Sequence, residues 1–391
     1  MNDSTAPLLP ATLADLMDRL NQHAQAGTSE SGEGPFQIPV ADYYSPEHWQ
    51  AECRTLFRQY PLAVAHGSML APGQALAHDA LGLPLLLVRD GDGRVRCFLN
   101  VCRHRGMRLV NAEGAQDRRT MVCPYHGWTY SLDGCLKHRL HADAFEGNDP
   151  AAMGLASLPC EERLGLIWVM PDGKRPLELD RWLGPLGAEL DWLGMDRLVV
   201  YRTMDYQRAA NWKLAADAFL EAYHIRVLHR DTIYPFFADG VTTAQFHDPH
   251  IHSVVARRTA LGGFRMPATQ AELRRLVTPT HLIFPNIILI WHPDYLSLIT
   301  LYPIAPDRLR WVHTMLIPPE KATPDWSPHW EKTLGLIEKT VFQAEDLFVA
   351  EGIQRGLQSG ANTHLTVGKL EFSLRWFHQR IARAIAEESA A

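Results

Sequence analysis

Apolar positions change their spacing along the chain in an order that divides it. Residues Thr12 to His23 repeat apolar side chains at helical intervals and predict a short amphipathic helix, and "AQAGTSESGEGPF" after them is a polar, Gly- and Ser-rich segment expected to be flexible. "SPEHWQAECRTLFRQY" predicts a second helix, with Ser45 as N-cap and Pro46 at its first position. From Pro61 to about Asp172 short β-prone runs alternate with turn signals, and hairpins are predicted around "DGDG" and "LDG". A helical pattern then covers Arg208 to Leu228. Apolar β runs follow at Leu282 to Ile290, Tyr295 to Ile304 and Leu309 to Pro318, and a long helix at about Trp326 to Leu357. The pattern predicts an α+β chain in three parts: a helical and flexible segment at 1–60, a small all-β domain at 61–172, and antiparallel strands with a C-terminal helix at 173–391.

Composition narrows the class. The chain has 391 residues, more than one core usually supports, with 46% hydrophobic and 21% charged residues, as in an ordinary globular protein. A formal charge of -6 gives no reason to expect nucleic acid or an anionic membrane as partner. The first twenty residues lack a basic region followed by an apolar core, so no signal peptide is expected. The apolar run from His281 to Trp291 is too short for a bilayer and is interrupted by Pro285. Six cysteines in this length make no disulfide scaffold, and a cytoplasmic location is the simplest expectation. Cys53, Cys97, Cys135 and Cys160 are read as buried small hydrophobes.

The densest candidate chemistry is "CRHRGMRLVNAEGAQDRRTMVCPYHGW": Cys102-x-His104, eighteen residues, then Cys123-x-x-His126. Two thiolates and two imidazoles on paired loops suit zinc or an iron-sulfur cluster. Zinc pairs typically have two to four intervening residues, whereas the single-residue gap here lets Cys102 and His104 reach different metal atoms. With Gly106 and Gly127 close behind, the two loops resemble those of Rieske [2Fe-2S] proteins. Met107 and Tyr125 stand where respiratory Rieske proteins carry a disulfide, and Arg105 with "PYHGW" resembles the terminal components of aromatic-ring-hydroxylating systems. That resemblance implies one iron on Cys102 and Cys123 and the other on His104 and His126.

Such a cluster passes electrons, so the resemblance demands a mononuclear Fe(II) site downstream. "NWKLAADAFLEAYHIRVLH" offers His224 and His229, and oxygen-activating iron enzymes use two histidines and a carboxylate. Five residues apart on an unbroken α-helix, the two would point about 140° apart, so the helix is expected to break or bulge between Ile225 and Leu228 if both are ligands. Otherwise they are a core and a helix-end histidine. In "EKTVFQAEDLFVAEGIQRGLQ", Phe342, Asp346, Val349, Ala350, Ile353 and Leu357 share one stripe, which turns Asp346 inward to meet a cation or a metal. Glu345 and Glu351 are read as solvated acids. "HDPHIHS" places His250 and His252 at strand alternation, and is read as a loop near the active-site mouth rather than a metal site.

Taken in order, the Rieske loops, "NWK", an acid three residues before His224, His229 and "ED" before "EGIQRGL" resemble the Rieske non-heme iron oxygenase α subunits over nearly the whole chain. The resemblance implies a helix-grip, START-like catalytic domain, with His224, His229 and Asp346 on iron, in an assembly that is usually a homotrimer. It implies that Glu221 links His126 of one subunit to His224 of the next, with electrons drawn from NAD(P)H by a separate flavin or ferredoxin reductase. The chain shows no Gly-x-Gly-x-x-Gly turn of its own. Glu221 stands where ring dioxygenases mostly have aspartate, as in relatives acting on quaternary amines, and Ala218 where those relatives commonly have asparagine. The expected reaction is mono- or dioxygenation of a small apolar or aromatic compound in a pocket walled partly by Leu282 to Trp291. N- or O-demethylation, or electron carriage without oxygenase activity, are the alternatives. Phe219, Tyr234, Phe236, Phe237 and Trp291 fit a recognition site or plain core equally.

Overall fold

The computed structural model describes residues 9–80 and 82–389, so the start of the 1–60 segment and of the signal-peptide reading lies outside the described residues. The chain resolves into two compact units. Phe57–Trp182 forms one, and the residues up to Leu56 join those from Leu183 onward in the other.

The smaller unit is all antiparallel β. One sheet runs Ser157–Leu158, Val95–Leu99, Leu83–Arg89, Gln74–Ala80, Gln116–Asp117, and another runs Cys160–Arg163, Leu166–Val169, Leu62–His66. A third, Thr120–Val122, Thr129–Ser131 and Leu136–His138, carries the hairpin expected at "LDG". The "DGDG" hairpin also forms, with Asp90 accepting from the amides of Asp92 and Arg94. Of the cysteines read as buried, Cys97 is, but Cys135 is exposed and Cys53 and Cys160 are half-buried. Cys135 sits in the tight turn of its hairpin, where the backbone has no interior to turn toward.

The larger unit is built on a seven-stranded antiparallel sheet in the order Val199–Arg208, Arg308–Ile317, Leu296–Ala305, Ile287–Trp291, Val277–Ile283, His250–Arg257, Phe237–His247. The last two strands form a hairpin absent from the sequence expectation, because threonine, glutamine and histidine dilute their apolar alternation. The helix expected at Arg208 to Leu228 is instead the end of a strand, a short helix at Trp212–Asp217, a loop, and one turn at Ile225–Leu228. The amphipathic helix Ala11–Ala26 buries Leu13, Leu16, Met17, Leu20 and Ala24, and its Leu16 carbonyl accepts from Thr243 in the edge strand. Ser45 caps Pro46–Gln59 by accepting from the His48 amide.

The long helical stretch expected at about Trp326 to Leu357 packs on the sheet, Phe342 meeting Trp311 and His313 edge-on, and the chain's last helix, Phe372–Ser389, follows it. The long stretch is not one α-helix. Ser327–Leu334 is α, Gly335–Asp346 is π and Leu347–Leu357 is α again. Hydrogen bonds that close over five residues widen the turn, so angular positions computed for 3.6 residues per turn drift. Hence Val349 and Ile353, expected inside, are exposed, while Gln354 joins Asp346, Ala350 and Leu357 in the interior. Among the described residues no helix is long and apolar enough to cross a membrane.

Candidate active site and metal centres

In the β unit, each of the two motif loops closes on its own backbone. The Gly106 amide donates to Cys102 carbonyl at 2.9 Å and the Gly127 amide to Cys123 carbonyl at 3.0 Å, both glycines at positive φ, +81° and +69°. These turns put Cys102 and Cys123 inside and the two histidines near the surface, with ring centroids 4.6 Å apart. His104 stacks on Trp128 at 5.0 Å, and Tyr130 lies 3.4 Å from the Cys102 sulfur. His104 Nδ1 and His126 Nδ1 are both buried with no hydrogen-bond partner, an arrangement that leaves lone pairs free for a metal. Among the described residues no three of these four side chains bring ligand atoms within 4.8 Å of one another. Two buried cysteines and two histidines with free ring nitrogens match the mixed sulfur and nitrogen ligation of a two-iron cluster. Met107 and Tyr125 are exposed at the loop rim, where Arg105 donates to the Tyr125 hydroxyl at 3.0 Å.

The larger unit brings His224, His229 and Asp346 together, with one ligand atom of each within 4.8 Å of the others. The break that allows this is not where the sequence suggested. Ile225–Leu228 is the helical turn itself, and the loop precedes it, so the histidines flank the turn instead of lying within it. His229 leaves helical geometry at φ -98°, ψ 21°, and the rings meet at 5.0 Å. His229 Nε2 lies 3.1 Å and His224 Nε2 3.8 Å from Asp346 Oδ1, which is 4% exposed as a side chain and without a hydrogen-bond partner. Among the described residues no arginine pairs with Asp346, so the ion-pair alternative has no partner here.

Each Nδ1 faces away to a carboxylate. His224 Nδ1 meets Glu221, which also accepts from the amides of Tyr223 and His224, and His229 Nδ1 meets Glu345 at 2.7 Å. Glu345 accepts from Thr232 as well. It is therefore no solvated acid: the widened π turn swings it under His229. Glu351 is held too, accepting from the Ala209 amide at 3.2 Å. Burial pulls His229 toward the neutral form, but Asp346 and Glu345 outweigh it and raise its pKa above the ordinary imidazole value. Carboxylate–histidine pairs of this kind fix the tautomer and aim the free nitrogen at a metal, so the residues fit iron. Glu345→Ala is expected to lower iron affinity by about 10–100-fold, read as iron retained against a chelator; unchanged retention would leave Glu345 a bystander.

A cavity of about 480 Å³ opens on this triad. Phe219, Phe236, Phe237, Phe342 and Tyr295 line it, with Arg257 among them, while Trp291 is fully buried beside Arg274 and only Ile290 of the Leu282 to Trp291 run reaches the cavity. Alternation explains this: the cavity wall comes from Ser253, Val255, Thr278 and Thr280 across neighbouring strands. Tyr234 lies under Arg258 instead. A wider cleft of about 970 Å³ also borders Glu221 and His224.

Two family models match the chain: "Rieske [2Fe-2S] domain" over residues 60–149 and "Ring hydroxylating alpha subunit (catalytic domain)" over residues 195–387. The carnitine monooxygenase oxygenase subunit of Acinetobacter pittii is 28% identical over 83% of this chain and 86% of its own. Chloroplastic choline monooxygenase of Spinacia oleracea is 25% identical over 88% and 78%. Among solved structures, naphthalene 1,2-dioxygenase from a Rhodococcus species superposes with a TM-score of 0.78 at 22% identity, covering 98% of this chain and all of that one, 100%. A quaternary ammonium Rieske monooxygenase bound to an inhibitor gives 0.76 at 22%, covering 89% and 95%. These two structures establish a shared fold.

Proposed function

We propose, for a chain that belongs to the Rieske non-heme iron oxygenase α subunits, that it is a monooxygenase acting on a small compound bearing both a methylated nitrogen and a carboxylate. As a member of that family it contains a Rieske [2Fe-2S] cluster and a mononuclear iron, and works with a separate reductase. When bound, the cluster supplies single electrons and the ferrous ion activates dioxygen. In this reading Cys102, His104, Cys123 and His126 hold the cluster, and His224, His229 and Asp346 the iron.

The observation that carries the substrate class is Arg257. It lies in the cavity wall between Phe236 and Phe237, its guanidinium 6.0 and 5.5 Å from their ring centres, and donates to the Thr278 hydroxyl at 3.1 Å. Burial pulls its pKa below the ordinary guanidinium value, and among the described residues no carboxylate pairs with it. A substrate carboxylate supplies the missing partner through charge-assisted hydrogen bonds. Phe219, Phe342 and Tyr295 offer ring faces to a methylated ammonium. Carnitine, named for one relative's activity, carries both groups; choline, named for another's, carries only the ammonium. One oxygen atom of O2 enters a C–H bond beside nitrogen and the other leaves as water, with two electrons from NAD(P)H and two protons. The aromatic lining favours a second reading, hydroxylation of an apolar aromatic compound.

Electrons are read as leaving through His126 and entering through Glu221 of a neighbouring copy, whose carboxylate already holds His224 Nδ1. Exposed apolar side chains ring both ends, Val122, Tyr125 and Leu140 in one unit and Tyr223, Val227 and Phe348 in the other, as a subunit contact requires. A homotrimer is the assembly this reading expects.

An oxygen-uptake screen with a compatible reductase tests the substrate class. Uptake matched by NAD(P)H oxidation and aldehyde release is expected with carboxylated quaternary ammonium compounds, and Arg257→Ala should raise KM for them by roughly 10–100-fold, the loss of a charge-assisted hydrogen bond. Turnover of aromatic hydrocarbons alone would decide for the second reading.

A further inference from the structure

The face of the catalytic sheet opposite the substrate cavity carries a second cluster of ligand side chains. Ser253 and Thr280 line the cavity, so their neighbours His252 and His281 point the other way, and the two stand directly opposite each other on adjacent strands. Their rings stack at 4.0 Å. Against them the helix Pro185–Leu193 lays Glu189, whose Oε1 accepts from Thr12 of the helix Ala11–Ala26.

All three side chains, Glu189, His252 and His281, are 0% exposed. Glu189 Oε2 lies 2.6 Å from His252 Nδ1 and 3.8 Å from His281 Nε2, and His247 Nε2 is 3.6 Å from Oε1. Despite these distances, Glu189 Oε2, His247 Nε2 and both ring nitrogens of His252 and His281 lack an aligned hydrogen bond. So many orphaned buried polar atoms in one place are costly and rare. They are close but out of line with each other, which is how ligands aim at a common point between them.

We propose that Glu189, His252 and His281 form a second metal site that takes a zinc-class divalent ion and fastens the two helices to the back of the sheet. The nitrogen and oxygen donors suit zinc, and His247 Nε2, 3.6 Å from Glu189 Oε1, borders the three without joining them. Ligand atoms on such an ion lie about 3.3 Å apart, given metal–ligand bonds of about 2.0–2.1 Å, so the Glu189–His252 pair at 2.6 Å would open by about 0.7 Å and the Glu189–His281 pair at 3.8 Å would close by about 0.5 Å.

The test is elemental analysis of the full chain, carrying its visible cluster absorbance, after incubation with Zn²⁺ and dialysis against a weak chelator. About one zinc per chain is expected both in the wild type and in His229→Ala, whose mononuclear site is disabled. His281→Phe, which keeps the stacked ring, should lose it. A wild type with zinc only at reagent background, or a folded His281→Phe variant that retains it, overturns the site. If that variant does not accumulate, zinc-edge absorption of His229→Ala decides. Two imidazoles and a carboxylate oxygen support the site, and sulfur ligation or any other shell overturns it.

Discussion

The Asp346→Ala variant is expected to retain about two iron atoms per chain where the wild type retains about three, with the visible spectrum of its cluster unchanged. Turnover should fall by more than the roughly 10–100-fold typical of losing an outer carboxylate, because Asp346 is the only acid whose oxygen faces both His224 Nε2 and His229 Nε2 among the described residues. Equal iron content in variant and wild type would remove Asp346 from the ligand set. The same variant tests the route through Glu221. Co-assembled with Cys102→Ser chains, which lack the cluster but keep the triad, it should recover activity that neither chain has alone. Mixed assemblies that stay inactive would confine electron transfer to a single chain.

Replacing Lys213 with methionine is expected to destabilise the larger unit by about 3–5 kcal/mol, measured as a lower denaturation midpoint. Lys213 is buried at the start of the short helix that leads to His224, where its ammonium meets Glu52 and donates to the Asp42 carbonyl at 2.8 Å. The indole of Trp212 donates to the other Glu52 oxygen at 2.8 Å. Methionine fills the volume but removes the only ammonium on Glu52 among the described residues, leaving the buried acid with His48 and Trp212 alone. Burial raises the Glu52 pKa, yet Lys213 and the hydrogen bonds of His48 and Trp212 outweigh it, and the folded value lies below the ordinary carboxylate value of 4.5. A depressed carboxylate stabilises the fold fully above its unfolded pKa and loses that contribution as pH falls through the folded value. The gap between wild type and Lys213→Met should therefore be widest near neutrality and narrow below about pH 4. Midpoints within about 0.5 kcal/mol of each other at pH 7 would mean the pair contributes little.

What was legible in the sequence shared one property: it was local. Cys102, His104, Cys123 and His126 lie on loops whose turns are marked by glycine, and the short hairpins of the β unit announce themselves by Asp-Gly turns. His224, His229 and Asp346 were legible through spacing and apolar context, although the break before the histidine turn was misplaced. Glu345 was missed because the projection assumed α geometry, and only the π stretch brings it under His229. Glu189 carried no signal at all: it lies 63 positions from His252 in a helix that reads as ordinary, and long-range packing alone joins them. The segment containing His247, His250 and His252 reads as a loop in the sequence but forms a hairpin, and its burial hides a histidine cluster that the oxygenase chemistry does not use.

If His224 and His229 hold iron and the substrate is of the proposed class, the carboxylates around them bear on how that substrate lies. Three acidic side chains, Glu221, Glu345 and Asp346, gather at that end of the cavity, while among the described residues no carboxylate pairs with Arg257 in the wall. A zwitterion entering such a field has one preferred heading: its anionic end is drawn to the guanidinium and its methylated nitrogen is left beside the metal. Orientation is then decided before any contact forms, and a cation with no carboxylate would enter the same space without a compass.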